Sequence, residues 1–245
     1  MKHFNSEPRS VCSPQAWLQA KAKQKVKNKL MNQFDRYEQI LLRENEKHNL
    51  TAITTPEEIK QKHFADSMSI LAHYDIPEES RVLDVGSGGG FPGVPLKIAR
   101  PDIYLTLLES STKKCGFLKL LAGELKLDLQ VTCARAEEAA HDPELREQFD
   151  VVVSRAVAAL PMLCELCLPF VEVGGMFVAY KGTLEKTEQE LADAANAIEL
   201  LGGTMFHVKH LQQADGERTL VMIKKIKPTP EELPRKNSAM IKKAL

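Results

Sequence analysis

The chain has 245 residues, of which 43% are apolar and 27% charged, the make-up of an ordinary globular protein rather than a disordered one. No apolar run approaches the ~20 residues of a membrane-spanning helix, and no apolar segment follows the N-terminal charges as in a secretory leader. A cytoplasmic protein with no membrane association is expected, and the formal net charge of zero by itself names no partner.

Residues 1–14, with Pro8, Pro14 and scattered polar side chains, read as a disordered tail. From Gln15 to Lys47 there is neither Pro nor Gly, and Leu30, Phe34, Tyr37, Leu41 and Leu42 recur at three-to-four spacing, the pattern of one amphipathic helix. Pro56 opens a second helix that puts Ile59, His63 and Phe64 on one side. Residues 15–76 thus form a helical appendage.

Beyond Pro77, short β-branched runs alternate with helical segments. Strands are expected at 81–85, 103–109, 129–133, 149–154, 176–180, 204–211 and 218–226, and helices at 92–100, 112–126, 139–148, 160–170 and 184–201. Such alternation predicts an α/β fold, a doubly wound, mostly parallel, Rossmann-like sheet of seven strands. The last two strands are joined by a short loop carrying Asp215-Gly216, so the seventh runs antiparallel to the sixth. This domain spans 77–227, and 228–245 reads as a basic C-terminal tail.

The zero net charge conceals a segregation. Residues 1–30 carry seven Lys or Arg against one Glu, and residues 224–245 carry seven against two, leaving an acidic middle. Basic ends favour a nucleic acid, because Lys and Arg gain by displacing counterions condensed on phosphates. Solvated tails fit the charge equally well. The five cysteines are irregularly spaced in a chain without a secretion signal, so no disulfide framework is expected. Cys164 and Cys167 form a C-x-x-C without a second pair at metal spacing, and read as small buried thiols one helical turn apart; neither zinc nor redox chemistry is expected.

The run from Arg81 to Gly93 is a buried strand, a turn of glycines and a helix start. Gly86, Gly88 and Gly90 permit left-handed backbone and let a ligand approach without a Cβ in the way. In an open α/β sheet this turn lies at the carboxyl edge, where ligands bind. Glu109 ends the next strand about 20 residues later, where such folds hold ribose hydroxyls. Gly88 to Gly93 also satisfies G-x-G-x-x-G, so an NAD-dependent oxidoreductase is the competing reading. A pyrophosphate needs N–H donors at the helix start, however, and Pro92 and Pro95 remove two. S-adenosyl-L-methionine has no phosphate and loses nothing by this.

With these residues in view, the chain resembles the RsmG (GidB) family of ribosomal RNA small subunit methyltransferases G, from about residue 28 to 236. The matching stretches are His48 to Ile53, His63-Phe64-Ala65-Asp66-Ser67, the turn from Leu83 to Pro95, Arg135-Ala136-Glu137, Ser154 to Ala158, Tyr180-Lys181-Gly182, Thr229-Pro230 and Pro234-Arg235-Lys236. The resemblance implies a class I methyltransferase that uses S-adenosyl-L-methionine to methylate guanine N7 in 16S ribosomal RNA, with naked RNA or the small ribosomal subunit as partner. Position by position, it makes Gly86, Phe91, Ala136, Glu137 and Arg155 cofactor-site residues beside Glu109. Two departures are visible: Glu109 stands where Asp is frequent, and Lys113-Lys114 where Lys-Arg is frequent.

Each residue also has a plainer reading. Phe91 is placed either against the cofactor or in the core beneath the first helix of the sheet domain. Glu137 suits an adenine edge, and also a helix N-terminus. Arg155, at the strand's mouth, suits the cofactor carboxylate or an RNA phosphate, and in its plainer reading an ordinary structural ion pair. Lys181, at the same edge, suits RNA or solvent. His63 and Asp66 read as a packing histidine with a paired carboxylate, and no catalytic base is assigned, because guanine N7 carries no proton to remove. A monomer is expected. A non-catalytic RNA-binding assembly factor is the alternative from outside the enzymes.

Overall fold

The computed structural model describes residues 14–213, 216–243 and 245, with side chains from residue 28 onward apart from those at 213–215 and 244. The predicted tail at 1–14 and the side chains of the basic run up to Lys27 therefore lie almost wholly outside the described residues. So does the Asp215 half of the predicted turn.

α1 (Pro14–His48) is the single long helix expected, and its Tyr37, Ile40 and Leu41 are completely buried. It ends at Asn49, which takes a left-handed φ of 49°, and the Asn45 amide then brackets the turn by bonding both Thr51 N and Thr51 O. The second helical segment begins at Thr55, whose hydroxyl accepts from Glu58 N, and Pro56. It runs through α2 (Pro56–Glu58), a π-helix (Ile59–Ala65), α3 (Asp66–Met68) and a 3-10 turn (Ser69–Ala72). Its Ile59, His63 and Phe64 are buried together, as the spacing predicts.

The sheet comprises β1 (Arg81–Val85), β2 (Tyr104–Glu109), β3 (Gln130–Cys133), β4 (Phe149–Arg155), β5 (Val171–Lys181), β6 (Gly203–Gln213) and β7 (Gly216–Lys225). Its order is β3-β2-β1-β4-β5-β7-β6, with β7 antiparallel to both neighbours and the other pairs parallel. The helices between strands are α4 (Gly93–Ala99), α5 (Thr112–Leu125), α6 (Ala136–Ala139), α7 (Leu160–Cys167) and α8 (Leu184–Leu200), and α9 (Asn237–Lys242) closes the chain.

Period-two alternation sorts the strand side chains into two apolar layers. Val82, Val151, Val153, Met176 and Val178 face α1, α4 and α5, whereas Leu83, Val85, Val152, Phe177 and Ala179 face α7 and α8. Tyr37, Ile40, Leu41, Ile59 and Phe64 belong to the first layer. The appendage therefore shares the sheet's core.

Three expectations need correction. The helix predicted at 139–148 does not form: the single turn α6 ends at Ala139 and turns follow, since Pro143 lacks the N–H an interior helix position needs and Glu147 takes a φ of 53°. The segment after residue 227 is not a free tail. Arg146 donates to the carbonyls of Thr229, Pro230 and Leu233, and Arg235 forms a two-pronged pair with the fully buried Glu165. Buried Lys225, at the end of β7, bonds Leu168 O and Thr229 Oγ1 and pairs with Glu147. Finally, Cys115 and Cys133 are joined by a disulfide, where no bridge was expected. Cys164 and Cys167 are buried free thiols, as their helical spacing predicts.

Candidate functional site

The glycine turn leaves β1 at Gly86, whose φ is 74°; a Cβ there would lie 2.4 Å from Val157 Cγ2, so only glycine fits. The donors of the turn are almost all consumed internally. Gly86 N and Ser87 N donate to Leu108 O, Gly88 N donates to Glu109 Oε2 (2.9 Å), Gly90 N and Phe91 N donate to Ser87 O, and Gly93 N donates to Asp84 Oδ2 (2.8 Å). Pro92 has no donor at all. A pyrophosphate would find none of these N–H groups free, which removes the physical basis of the dinucleotide reading.

Asp84 is completely buried, and its Oδ1 has no partner among the described residues. Burial pushes its carboxyl up to about 7, against the pull of the Gly93 N–H and the Arg155 charge. Glu109 is also buried, with Oε1 accepting from Ser111 N (2.8 Å), so its carboxylate ties the end of β2 to the glycine turn.

A cleft of about 220 Å³ opens beside Gly86 at the carboxyl edge of β1, β2 and β3. It brings Gly86, Ala136 and Glu137 together, as the sequence predicts. Leu108, Ala134, Val157 and Met162 give it apolar walls that suit a flat heterocycle, and Glu137 and Asn237 supply polar edges. Glu137, in the first turn of α6, receives a hydrogen bond from Arg135 Nε at 2.6 Å. The wall next to Glu109 is made by Leu108 and Ser110, while the Glu109 side chain points into the turn. These features fit a nucleoside cofactor without phosphates. Sequence reasoning missed Asn237; its only signal was its place directly after Pro234-Arg235-Lys236.

Phe91 and Arg155 lie on the other side of the turn. Phe91 is a core residue, stacked on Tyr37 at 5.4 Å and on His63 at 4.3 Å, with the Arg155 guanidinium 5.0 Å from its ring centre. Arg155 donates to Asp66 Oδ2 (2.7 Å) and to Lys62 O (3.3 Å), and meets His63 Nδ1 at 3.1 Å. Because a guanidinium can only donate, His63 Nδ1 accepts, and Nε2 carries the proton toward Thr51 Oγ1 at 2.7 Å. Burial first, then the Arg155 charge, lowers the His63 imidazole to about 4, so it is neutral.

Lys62, His63, Asp66 and Arg155 line a second pocket of about 420 Å³, together with Tyr180, Lys181, Lys186 and Arg218. It carries five cationic side chains, Lys62, Arg155, Lys181, Lys186 and Arg218, against Asp66 and Glu190. Lys181 is neither solvated nor free: it pairs with Glu190 at 2.6 Å and donates to Ala158 O at 3.1 Å. The segment 155–158 separates the two cavities, with Arg155 and Ala156 facing the pocket and Val157 and Ala158 facing the cleft. Arg218 was not picked out from sequence, since it is a common residue distant in the chain from the rest of the site, and Thr51 was legible only as part of the matching stretch His48 to Ile53.

The family model described as rRNA small subunit methyltransferase G matches residues 30–221. The chain is 45% identical over 221 residues to the ribosomal RNA small subunit methyltransferase G of Clostridium novyi, covering 89% of this chain and 90% of the relative. It is 46% identical over 212 residues to that of Alkaliphilus metalliredigens, covering 85% and 88%. Among solved structures it is similar in fold to the geranyl diphosphate C-methyltransferase of Streptomyces coelicolor bound to Mg2+, geranyl diphosphate and S-adenosyl-L-homocysteine. That match has a TM-score of 0.52 at 14% identity, and covers 66% of this chain and 79% of the other.

Proposed function

The chain belongs to the rRNA small subunit methyltransferase G family, and from that membership we propose how its two cavities divide the work of methylating a guanosine in 16S ribosomal RNA. The methyl donor is S-adenosyl-L-methionine, whose sulfonium supplies an electrophilic methyl group when bound. The observation that carries the reading is the placement of a donor-depleted apolar cleft and a cationic pocket on opposite sides of one four-residue segment.

In this reading Gly86 admits the cofactor to the backbone, and Ala136 and Glu137 border its adenine. Glu109 holds the turn in shape from the end of β2, next to the ribose. Phe91 and Arg155 act from the acceptor side: Phe91 backs the His63 ring, and Arg155, fixed by Asp66 and His63, presents positive charge with Lys181 and Arg218. That pocket suits a guanine flanked by phosphates.

The acceptor atom we assign is guanine N7. It has a lone pair and no proton, so the chain has only to hold it in line with the methyl group, a contribution of ~7–11 kcal/mol against the roughly 10²–10⁴-fold from a general base. His63 is committed at both ring nitrogens and neutral, in keeping with a positioning role. Because A-form RNA hides its major-groove edge, the target guanosine is in a loop, bulge or opened site. We place the enzyme in the cytoplasm, as a monomer acting on naked RNA or the small subunit.

Two measurements test the reading. Incubating 16S RNA, or small subunits from cells lacking the enzyme, with methyl-labelled S-adenosyl-L-methionine should label one guanosine, and mapping should place the methyl on N7; label elsewhere on the base overturns the assignment. Calorimetric titration should show binding of S-adenosyl-L-methionine and none of NAD.

A further inference from the structure

The disulfide that the sequence did not predict ends at Cys133, one residue before Ala134 of the cleft wall. Cys115 is on the first turns of α5, and Cys133 is the last residue of β3, in register with Glu109 of β2. The two half-cystines are unequal: Cys115 is 3% exposed, whereas Cys133 is open to solvent. One atom ties the pair to the site. The Glu109 carbonyl oxygen accepts from Ala134 N at 3.1 Å and lies 3.2 Å from Cys115 Sγ. Glu109 holds the glycine turn through its carboxylate, and Ala134 begins the cleft wall that continues through Ala136 and Glu137.

Both redox states have a place in this arrangement. Oxidised, the bridge pins the end of β3, and so the Ala134 to Glu137 wall, to the start of α5. Reduced, the Cys115 thiol has an acceptor in the Glu109 carbonyl, and Cys133 becomes an exposed thiol flanked in space by the helix that carries Lys113 and Lys114. In the reducing cytoplasm proposed above for this protein, a disulfide with one exposed sulfur is of the transient, responsive kind rather than the structural kind.

We infer that Cys115 and Cys133 form a reversible thiol modification site through which a low-molecular-weight disulfide sets the affinity of the neighbouring cleft for its cofactor. The exchange balances without a further reagent. The Cys133 thiolate attacks one sulfur of the small disulfide and expels the first small thiol, leaving a mixed disulfide on Cys133. The Cys115 thiolate then attacks the Cys133 sulfur and expels the second. Two protein thiols are oxidised, one small disulfide is reduced to two thiols, and excess small thiol reverses both steps. The bridged form is the tighter binder, because its cleft wall is ordered before the ligand arrives.

The inference rests on the reading that this cleft takes S-adenosyl-L-methionine, and the test separates the two. The full chain is equilibrated with oxidised or reduced glutathione, the linked peptides are mapped by mass spectrometry without reduction, and S-adenosyl-L-homocysteine is titrated by calorimetry. Oxidation should yield a Cys115–Cys133 peptide pair that reduced glutathione removes, and should tighten binding about three- to tenfold, the size expected when one or two side chains are ordered in advance. C133S and C115S should give no linked pair and keep the weaker affinity under both conditions. No linked pair in the wild type, equal affinity in its two states, or a shift that persists in C133S overturns the inference. Methylation of 16S RNA by the reduced wild type is followed in parallel: product there with equal affinities sinks the redox site alone, whereas no product and no binding in either state sinks the cofactor reading as well.

Discussion

Gly90 adopts a φ of 95°, and a Cβ on it would lie 2.6 Å from the Tyr37 hydroxyl and 2.9 Å from Val94 Cγ2. Tyr37 in turn donates to Gly89 O, so the first helix of the chain grips the glycine turn through one residue's backbone. Replacing Gly90 by Ala should cost about 1–3 kcal/mol in urea unfolding, from strain and crowding together. His63 offers the opposite lesson. Its two ring nitrogens are spent on Thr51 and Arg155, and its face on Phe91. H63A should keep turnover within about tenfold of wild type, once fold and cofactor binding are verified; a loss of several orders of magnitude would show a catalytic base after all. Both glycine and histidine stand out in the sequence, but only their neighbours show that one is confined by crowding and the other held at both ring nitrogens. Phe91 and Arg155 illustrate the same gap. Their place directly after the turn and at the end of β4 is legible, yet a side chain there can face either way: Arg155 lines the cationic pocket, whereas Phe91 is buried in the core with that guanidinium over its ring.

At the scale of elements, long periodic segments were the legible ones. α1, α5, α8 and all seven strands appear where hydrophobic spacing puts them, because each buries a face wide enough to leave a repeating pattern. The predicted helix at 139–148 failed because Arg146 and Glu147 serve a distant segment, Arg146 binding three carbonyls beyond residue 228 and Glu147 accepting from Thr229 N. The C-terminal strap was misread as a tail for the complementary reason: its charges look solvated until their partners are seen. Deleting residues 228–245 should therefore lower the thermal midpoint markedly, since it strips the partner from buried Glu165, and should weaken cofactor binding by removing Asn237 from the cleft. Breaking one side of a buried pair typically costs about 3–5 kcal/mol. The basic start of α1 belongs to a different class. Removing residues 1–27 should leave cofactor affinity unchanged but weaken RNA binding and flatten its dependence on salt, as measured by filter binding over a range of ionic strength; unchanged RNA binding would make that run a solvated face only.

Across the whole molecule, two buried titratable groups oppose one another. His63 is lowered to about 4 from its ordinary 6.5, so between those values the unfolded chain takes up a proton that the folded chain refuses, and stability falls as pH falls. Asp84 is raised to about 7 from its ordinary 3.8, so over that window the folded chain holds a proton that the unfolded chain releases, and stability falls as pH rises. Where the windows overlap the slopes offset each other. D84N removes the second slope, and its thermal midpoint should drop more steeply than that of the wild type between pH 6.5 and 4. The amino-acid sequence by itself determined the class of fold, the antiparallel last strand, the position of the glycine turn and the family, because these depend on local periodicity, glycine placement and an ordered series of short motifs. What only the tertiary structure decided was everything that depends on which distant side chains meet. It put Gly86, Ala136 and Glu137 on a cleft, Arg155 on a pocket, and Phe91 and Glu109 on neither, occupied N–H donors of the glycine turn, turned a charged tail into a strap, and brought Cys133 against Cys115. A pattern within the chain reports which face a residue buries; its partner across the fold is set by the packing of the whole.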